Sequence, residues 1–348
     1  MYLYNAGGSL ELGAKRGGES IHIENILFLL GYDSLLLYIL LSMKDAHRAR
    51  LGMINVGNSC FSNATMQAVF SMVGLKLSDS MEKLRTVLRD PRYDPTLKEG
   101  KALNELACIQ FYVGVIGKNI NDNNIPLFDF GEQNDGEEFL IRVLDGTDAA
   151  SKSLIAIKRT KSGECTQCHR TRTRSVEVEY CLYLEFPSHQ EHSDIQKLLN
   201  SSAVSEAVTF NCESEGCSGT SFKDTTVVDA ASRYAVFSLK RFVATMKKTK
   251  KGTTTTVRKI SNTVDVLLDV NFCGQVFYLL VILEHIGLSI NSGHYKAHCR
   301  DLESGKFFTF DDAEVHETSE AVLLRSKNVY VLVYTNDKVH CCSLVSSL

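Results

Sequence analysis

No tryptophan occurs anywhere in the 348 residues, and only four prolines do. There is no proline-rich linker, no internal repeat and no low-complexity stretch, so the length fits one large domain or two small ones. Charge of neither sign prevails: Lys and Arg number 38 against 41 Asp and Glu, a net charge of −3. That balance excludes nucleic acid as the main partner, because phosphate binding needs a strong positive excess. No recognisable cleavable signal precedes the 11 cysteines, an odd number that leaves at least one unpaired. The expectation is a reducing intracellular compartment, cytoplasm or nucleus, where thiols serve metal binding or catalysis.

What is present is apolar material enough for a core, 44% of residues. Residues 1–50 read as an appendage: a glycine- and serine-rich start, then the run ILFLLGYDSLLLYILLSM over Ile26 to Met43. About 18 residues meets the lower bound for a membrane span. Gly31 and Asp33 in its middle oppose one, since a central Asp costs a few kcal/mol to insert. A buried helix, a leader and a membrane anchor are the three readings of residues 26–43. Globular patterning runs from Leu51 to about Asn336, and a short tail, 337–348, follows.

Asn58-Ser59 is a helix-cap signal, and Cys60 to Val73 is the helix it opens, closed by Gly74. Leu103, Leu106, Ala107 and Val113 predict a second helix, and Phe139, Leu140, Val143 and Leu144 a third. Then the period changes. Val176, Val178, Tyr180, Leu182, Leu184 and Phe186 alternate, which predicts one long half-buried strand. Val236 to Phe242, Gln275 to Leu283, His294 to Arg300 and Asn328 to Tyr334 are further strands. Helices first and sheet after is the order of an α+β protein.

Three separated residues suit a cysteine hydrolase. Cys60 sits at a predicted helix start, where unpaired N–H groups favour a thiolate. His294, beside the small Gly293, is a candidate base, with His285 as a competing imidazole. Asp311 follows His294 by 17 residues, so a strand out and a strand back would return it to the imidazole; Asp312 is the alternative acid. Asn55 can donate to an oxyanion. Taken singly, each has an ordinary structural explanation. A second constellation, Cys165-x-x-Cys168 and Cys212-x4-Cys217, offers four thiolates in two close pairs, a tetrahedral zinc set. Lys247 to Lys251 reads as a solvated hairpin loop rather than a nucleic-acid patch.

Taken together, the motifs resemble one family. Leu51-Gly-Met-Ile-Asn55-Val-Gly-Asn-Ser-Cys60-Phe-Ser-Asn63, with Met66-Gln67, resembles the cysteine box of the ubiquitin-specific proteases. Gln133-Asn-Asp-Gly-Glu-Glu-Phe-Leu140 and Val236-Phe-Ser-Leu-Lys-Arg-Phe242 resemble two further signatures. His285-Ile-Gly287, Gly293-His-Tyr295, Phe310-Asp-Asp312 and Tyr330-Val-Leu-Val-Tyr334 resemble the histidine box and closing strand. The resemblance spans about Leu51 to Asn336, in order.

It implies a papain-like peptidase of thumb, palm and fingers: thumb about 51–150, fingers about 160–230, palm about 231–336. It implies Cys60 as nucleophile, His294 as base, Asp311 as orienting acid with Asp312 beside it, and Asn55 as oxyanion donor. Gln133, Asp135, Gly293 and Tyr295 would line the substrate, with Asp135 meeting arginines in the tail of ubiquitin. Cys165, Cys168, Cys212 and Cys217 would hold a structural zinc at the fingers, and no catalytic cofactor is implied. The expected partners are ubiquitin and its conjugates, and the expected state is a monomer. Two other readings are a silent ubiquitin-binding module and a peptidase for a ubiquitin-like modifier. Phe307 and Phe308 stand where family members often carry Trp, Gly136 replaces a usual alanine and Ser59 a usual threonine.

Overall fold

The computed structural model describes residues 2–4, 10–12, 51–116, 128, 131–186, 192–202, 204–249, 252–289 and 292–338. The chain divides into two units, Met1–Arg48 and Ala49–Leu348. In the first, β1 (Tyr2–Tyr4) pairs antiparallel with β2 (Leu10–Leu12). The apolar segment 26–43 lies outside the described residues. Among those described, no helix is long and apolar enough to cross a membrane.

The second unit begins with helices: α1 (Cys60–Ser71), α2 (Asp79–Val87), α3 (Lys98–Ile116), α4 (Gly136–Asp145) and α5 (Ala149–Ile155). Every residue of α1 from Cys60 to Phe70 is buried, as expected of a helix surrounded by protein on all sides. Phe61 packs edge-on against Tyr112 of α3 and Phe139 of α4, and these contacts fix the three helices together.

The predicted second helix is present as α3, but most of the apolar residues that signal it do not face the core. Leu103, Leu106 and Val113 are exposed, whereas Asn104, Cys108, Phe111, Tyr112 and Val115 are buried. The buried stripe has the same helical period but is led by a polar residue, so a count of apolar positions selects its neighbour.

Strands follow: β3 (Ile157–Cys165), β4 (Thr171–Glu179), β5 (Leu182–Leu184), β6 (His192–Asp194), then α6 (Ile195–Asn200), β7 (Val204–Thr209), β8 (Ser221–Ala231) and β9 (Tyr234–Leu239). β10 (Phe242–Thr249) and β11 (Gly252–Lys259) pair antiparallel, and Lys250 and Lys251 lie outside the described residues. The rest are β12 (Thr263–Asp265), β13 (Asp269–Phe272), β14 (Gln275–Ser289), β15 (Ser292–Arg300), β16 (Phe307–Asp311), β17 (Glu314–Thr318), α7 (Glu320–Leu323), β18 (Arg325–Ser326) and β19 (Val329–Thr335).

The main sheet has the order β17-β16-β15-β14-β19-β9-β5, with β13 also on β14. Both of its faces are covered. Val236, Val331 and Val333 face the helices, while Phe237, Leu332 and Tyr334 face a second apolar layer that includes α6. Strands buried on both sides read as continuous apolar runs, as Val329–Thr335 does. A separate four-stranded sheet has the order β4-β3-β8-β7.

The single strand expected from Val176 to Phe186 is two strands in different sheets. Val176 and Val178 on β4 are 54% and 57% exposed, while Leu182 and Leu184 on β5 are buried. The chain bends at Tyr180-Cys181. Alternation persists through the bend while the environment changes, which a period cannot reveal.

Candidate active site

Three elements meet at Cys60. It opens α1, which packs against β15 carrying His294, and β16 ends on Asp311. The ladder pairs Ala297 with Phe310, so the next step out brings the His294 end of β15 toward Asp311. His294 Nε2 lies 2.5 Å from Asp311 Oδ1, leaving Nδ1 for the thiol. The imidazole is raised to about 9, first by its hydrogen bond with Cys60, with Asp311 adding to the rise and burial opposing it. Asp311 is held below the usual carboxylate range: Lys296 and His294 outweigh the effect of burial. A protonated imidazole beside sulfur and carboxylate is thus the favoured state at neutral pH.

The competing imidazole, His285, is fully buried. Neither of its ring nitrogens has a hydrogen-bond partner among the described residues. Burial, then Lys259, pushes it down to about 4, so it stays neutral. Lys259 Nζ donates to its carbonyl at 2.5 Å, and Phe242 and Tyr295 flank its ring edge-on. Buried and neutral, it packs between Phe242 and Tyr295.

The loop before Cys60 is laced to itself. Ser59 N donates to Asn55 Oδ1 at 3.0 Å, and Val56 N donates to Ser59 Oγ at 2.9 Å. The expected cap is therefore altered: Ser59 occupies the N-cap position, but its hydroxyl turns back to Val56 and makes no side-chain cap to the helix. Asn58 adopts φ 53° and donates to Gly131 O at 2.7 Å. Asn55 Nδ2 donates to Asp312 Oδ2 at 2.9 Å, and Asn63 Nδ2 donates to Asp312 Oδ1 at 2.8 Å. The structure thus separates the two acids: Asp311 meets the imidazole, and Asp312 orients two amides.

Gln133 approaches the sulfur from the other side, its Nε2 3.8 Å from Cys60 Sγ. Asp135 caps α4, accepting from Glu137 N at 2.7 Å, and also accepts from Tyr330 Oη at 2.8 Å. Burial raises its carboxyl. Glu137 accepts from Tyr183 Oη at 2.8 Å and is raised to about 7, again by burial first. Among the described residues neither carboxylate forms an ion pair.

The two expected substrate-lining residues on β15 differ in exposure. Tyr295 is 1% exposed, packed on His285 and against Gly136, so it presents almost no surface. Gly293 is exposed, and glycine is required there because a Cβ would lie 2.5 Å from His285 Nε2. Gly136 has the same cause, because its Cβ would meet the Tyr295 ring at 2.8 Å.

Asn104 carries no catalytic signature and was not legible as part of the site. Fully buried on α3, it accepts from Ile54 N at 3.0 Å and donates to Gly52 O and Tyr93 O at 2.9 Å each. Its amide grips the backbone on both sides of Met53 as a neighbouring strand would, which sets the position of Asn55.

The four paired cysteines gather at one end of the four-stranded sheet. Cys165 ends β3, Cys168 follows in its turn, and Cys212 and Cys217 lie between β7 and β8. Their sulfurs all lie within 4.8 Å of one another, with Cys165–Cys217 and Cys168–Cys212 each at 3.8 Å. These separations exclude disulfides and suit a shared cation. Gly219 N donates to Cys217 Sγ at 3.4 Å, and a Cβ on Gly219 would crowd Cys165 Sγ at 2.8 Å.

Comparison with known proteins follows the same outline. Residues 51–334 match the family described as ubiquitin carboxyl-terminal hydrolase. Ubiquitin carboxyl-terminal hydrolase 26 of Arabidopsis thaliana is 22% identical over 332 residues, covering 88% of this chain and 29% of the relative. Ubiquitin carboxyl-terminal hydrolase 48 of Rattus norvegicus is 23% identical over 292 residues, covering 77% of this chain and 28% of the relative. The chain thus spans under a third of the length of these relatives. Among solved structures, the SAGA Ubp8/Sgf11/Sus1/Sgf73 DUB module bound to ubiquitin aldehyde aligns with a TM-score of 0.63 at 18% identity, covering 90% of this chain and 76% of that one. That likeness extends the α+β, papain-like fold across the described sheets. With a family match running from the cysteine loop to the last strand, the chain belongs to the ubiquitin carboxyl-terminal hydrolase family.

Proposed function

We propose that this chain is a thiol-dependent deubiquitinating peptidase that hydrolyses the bond after the C-terminal glycine of ubiquitin. The observation that carries this reading is the Cys60–His294–Asp311 constellation, with His294 Nε2 2.5 Å from Asp311 Oδ1 and the imidazole raised by the thiol. Cys60 Sγ attacks the glycine carbonyl, and the imidazolium proton goes to the leaving amine. Water then attacks the thioester, giving its proton to His294 and freeing Cys60. Asn55 has two N–H bonds; one is held by Asp312, and the other serves the oxyanion. Gln133 lines the same pocket.

The raised carboxyls of Asp135 and Glu137 support a cationic substrate segment, since partly buried carboxylates without an ion pair gain most from an arriving guanidinium. The arginine-containing tail of ubiquitin supplies one. The thumb, fingers and palm correspond on this reading to about 51–150, 160–230 and 231–336. The fingers carry zinc on Cys165, Cys168, Cys212 and Cys217. Sulfurs 2.3 Å from a tetrahedral zinc stand about 3.8 Å apart, in line with the Cys165–Cys217 and Cys168–Cys212 separations of 3.8 Å. The metal's part is structural, cross-linking the tips of β3 and β8.

Ubiquitin carrying a C-terminal electrophile tests the reading. One adduct should form on the wild type, map to Cys60 and be absent from Cys60→Ala. Faster labelling by a probe built on another ubiquitin-like modifier would transfer the reading to that modifier, and no labelling by any would end it.

A further inference from the structure

His294 is not the only cation on Asp311. Lys296 projects from the same strand, two residues on, and its Nζ pairs with Asp311 Oδ2 while His294 Nε2 takes Oδ1. The carboxylate is divided between an imidazole and an ammonium, one to each oxygen. We propose that Lys296 is a positioning residue of the active site, fixing the plane of the Asp311 carboxylate and holding down the negative charge that His294 meets. The inference rests on the catalytic roles assigned above to Cys60, His294 and Asp311.

The surroundings direct this ammonium to Asp311. Its cross-strand neighbour on β14 is Glu284, the other carboxylate in reach. Glu284 is already engaged: His298 Nε2 lies 3.2 Å from its Oε2, and Ser326 Oγ donates to its Oε1. The side chains of Lys296 and Asp311 are 28% and 24% exposed, so their attraction is only partly screened by water. The other charged or titratable groups facing the pair are Cys60 from α1, Asp312 beyond β16, and Glu314, which is exposed and opposite Asp311 on β17. Among the described residues, Lys296 and the imidazole are the positive charges that hold Asp311 down, and Lys296 alone carries its charge independently of the imidazole's protonation. Cation beside cation disfavours the imidazolium, and a neutralised Asp311 supports it less. Lys296 should therefore set where on the pH scale the imidazolium is lost. It also spares Asp311 from protonation, in keeping with that carboxyl lying below its ordinary range.

The test compares wild type, Lys296→Met, Lys296→Gln and Lys296→Arg. The alkaline limb of kcat/KM on a fluorogenic ubiquitin amide is recorded alongside the His294 ring titration by NMR in histidine-labelled protein, assigned with His294→Gln. Removing the charge should move both His294 readouts upward by about 0.5 to 1 in pH, the size expected for one partly screened unit charge a few ångströms away. Lys296→Arg should restore the wild-type position. A drop in activity with the His294 titration unmoved, or moved downward, would overturn the proposal and leave Lys296 as a merely structural side chain. If wild type turns over no ubiquitin amide, the peptidase reading fails while the NMR titration still decides the electrostatic claim. Should Lys296→Met fail to fold, Lys296→Gln carries the same comparison.

Discussion

The cysteine at the start of α1 and the four cysteines at the tip of the β3–β8 sheet put one element to opposite uses. Cys60 lies over a dense aliphatic and aromatic core, with Phe61, Phe128 and Phe139 beneath it. Its neighbours are fixed by side-chain amides: Asn55, Asn63 and Asn104 pin the loop to Asp312 and α3. The far sheet has almost no core. Val176, Val178 and Val227 are exposed, and what packs at the tip is Phe210 stacked on Phe222 with Arg174 over Phe210. Where burial cannot supply cohesion, four sulfurs are placed to share a cation. On the proposed reading, the Cys60 thiol would depend on a frame it does not itself stabilise, while the clustered thiols would be the frame.

Substitutions that separate reaction from cohesion sharpen this contrast. Asp311→Asn should lower kcat by about 10²- to 10⁴-fold, because the imidazole loses its anionic orienter, with little change in melting temperature. Steady-state kinetics with calorimetry checks both halves. Cys212→Ser should do the reverse. Bound zinc measured by mass spectrometry should be lost, and the melting temperature should fall by roughly 5–10 °C, yet Cys60 should still react with a small alkylating agent.

Asn104→Leu crosses the boundary, removing the partners of Ile54 N, Gly52 O and Tyr93 O at once. With each unpaired buried group costing about 1–3 kcal/mol, both denaturant midpoint and kcat should drop, through misplacement of Asn55. Gly136→Ala should be the mildest, costing about 1–3 kcal/mol of overpacking against the Tyr295 ring, read by chemical denaturation. A fall in stability for Asp311→Asn as large as that for Cys212→Ser would erase the distinction.

Much of this was legible in the residues. Cys60, His294 and the acid pair stand in an order and setting that few alternatives explain; the apolar run at Gln275–Leu283 lies within β14, and that at Asn328–Tyr334 overlaps β19 from Val329 on. What escaped has a common physical origin. The buried stripe of α3 begins with Asn104, whose burial is stabilised by hydrogen bonds to the cysteine loop, and a hydropathy pattern is blind to such bonds. The bend at Tyr180-Cys181 keeps the period while changing sheets. The choice between Asp311 and Asp312 depends on which partners two adjacent carboxylates meet, the imidazole for one and the Asn55 and Asn63 amides for the other. The ion pair of Lys296 depends on strand register, which no single strand encodes.

The central claim is that Cys60 is the nucleophile of a ubiquitin-directed peptidase. Hydrolysis of a fluorogenic ubiquitin C-terminal amide by wild type and Cys60→Ala, both verified as folded, tests it most directly. The account predicts turnover by the wild type and none above background by the variant. Wild-type protein that binds ubiquitin without turnover, or equal turnover by both, would contradict it.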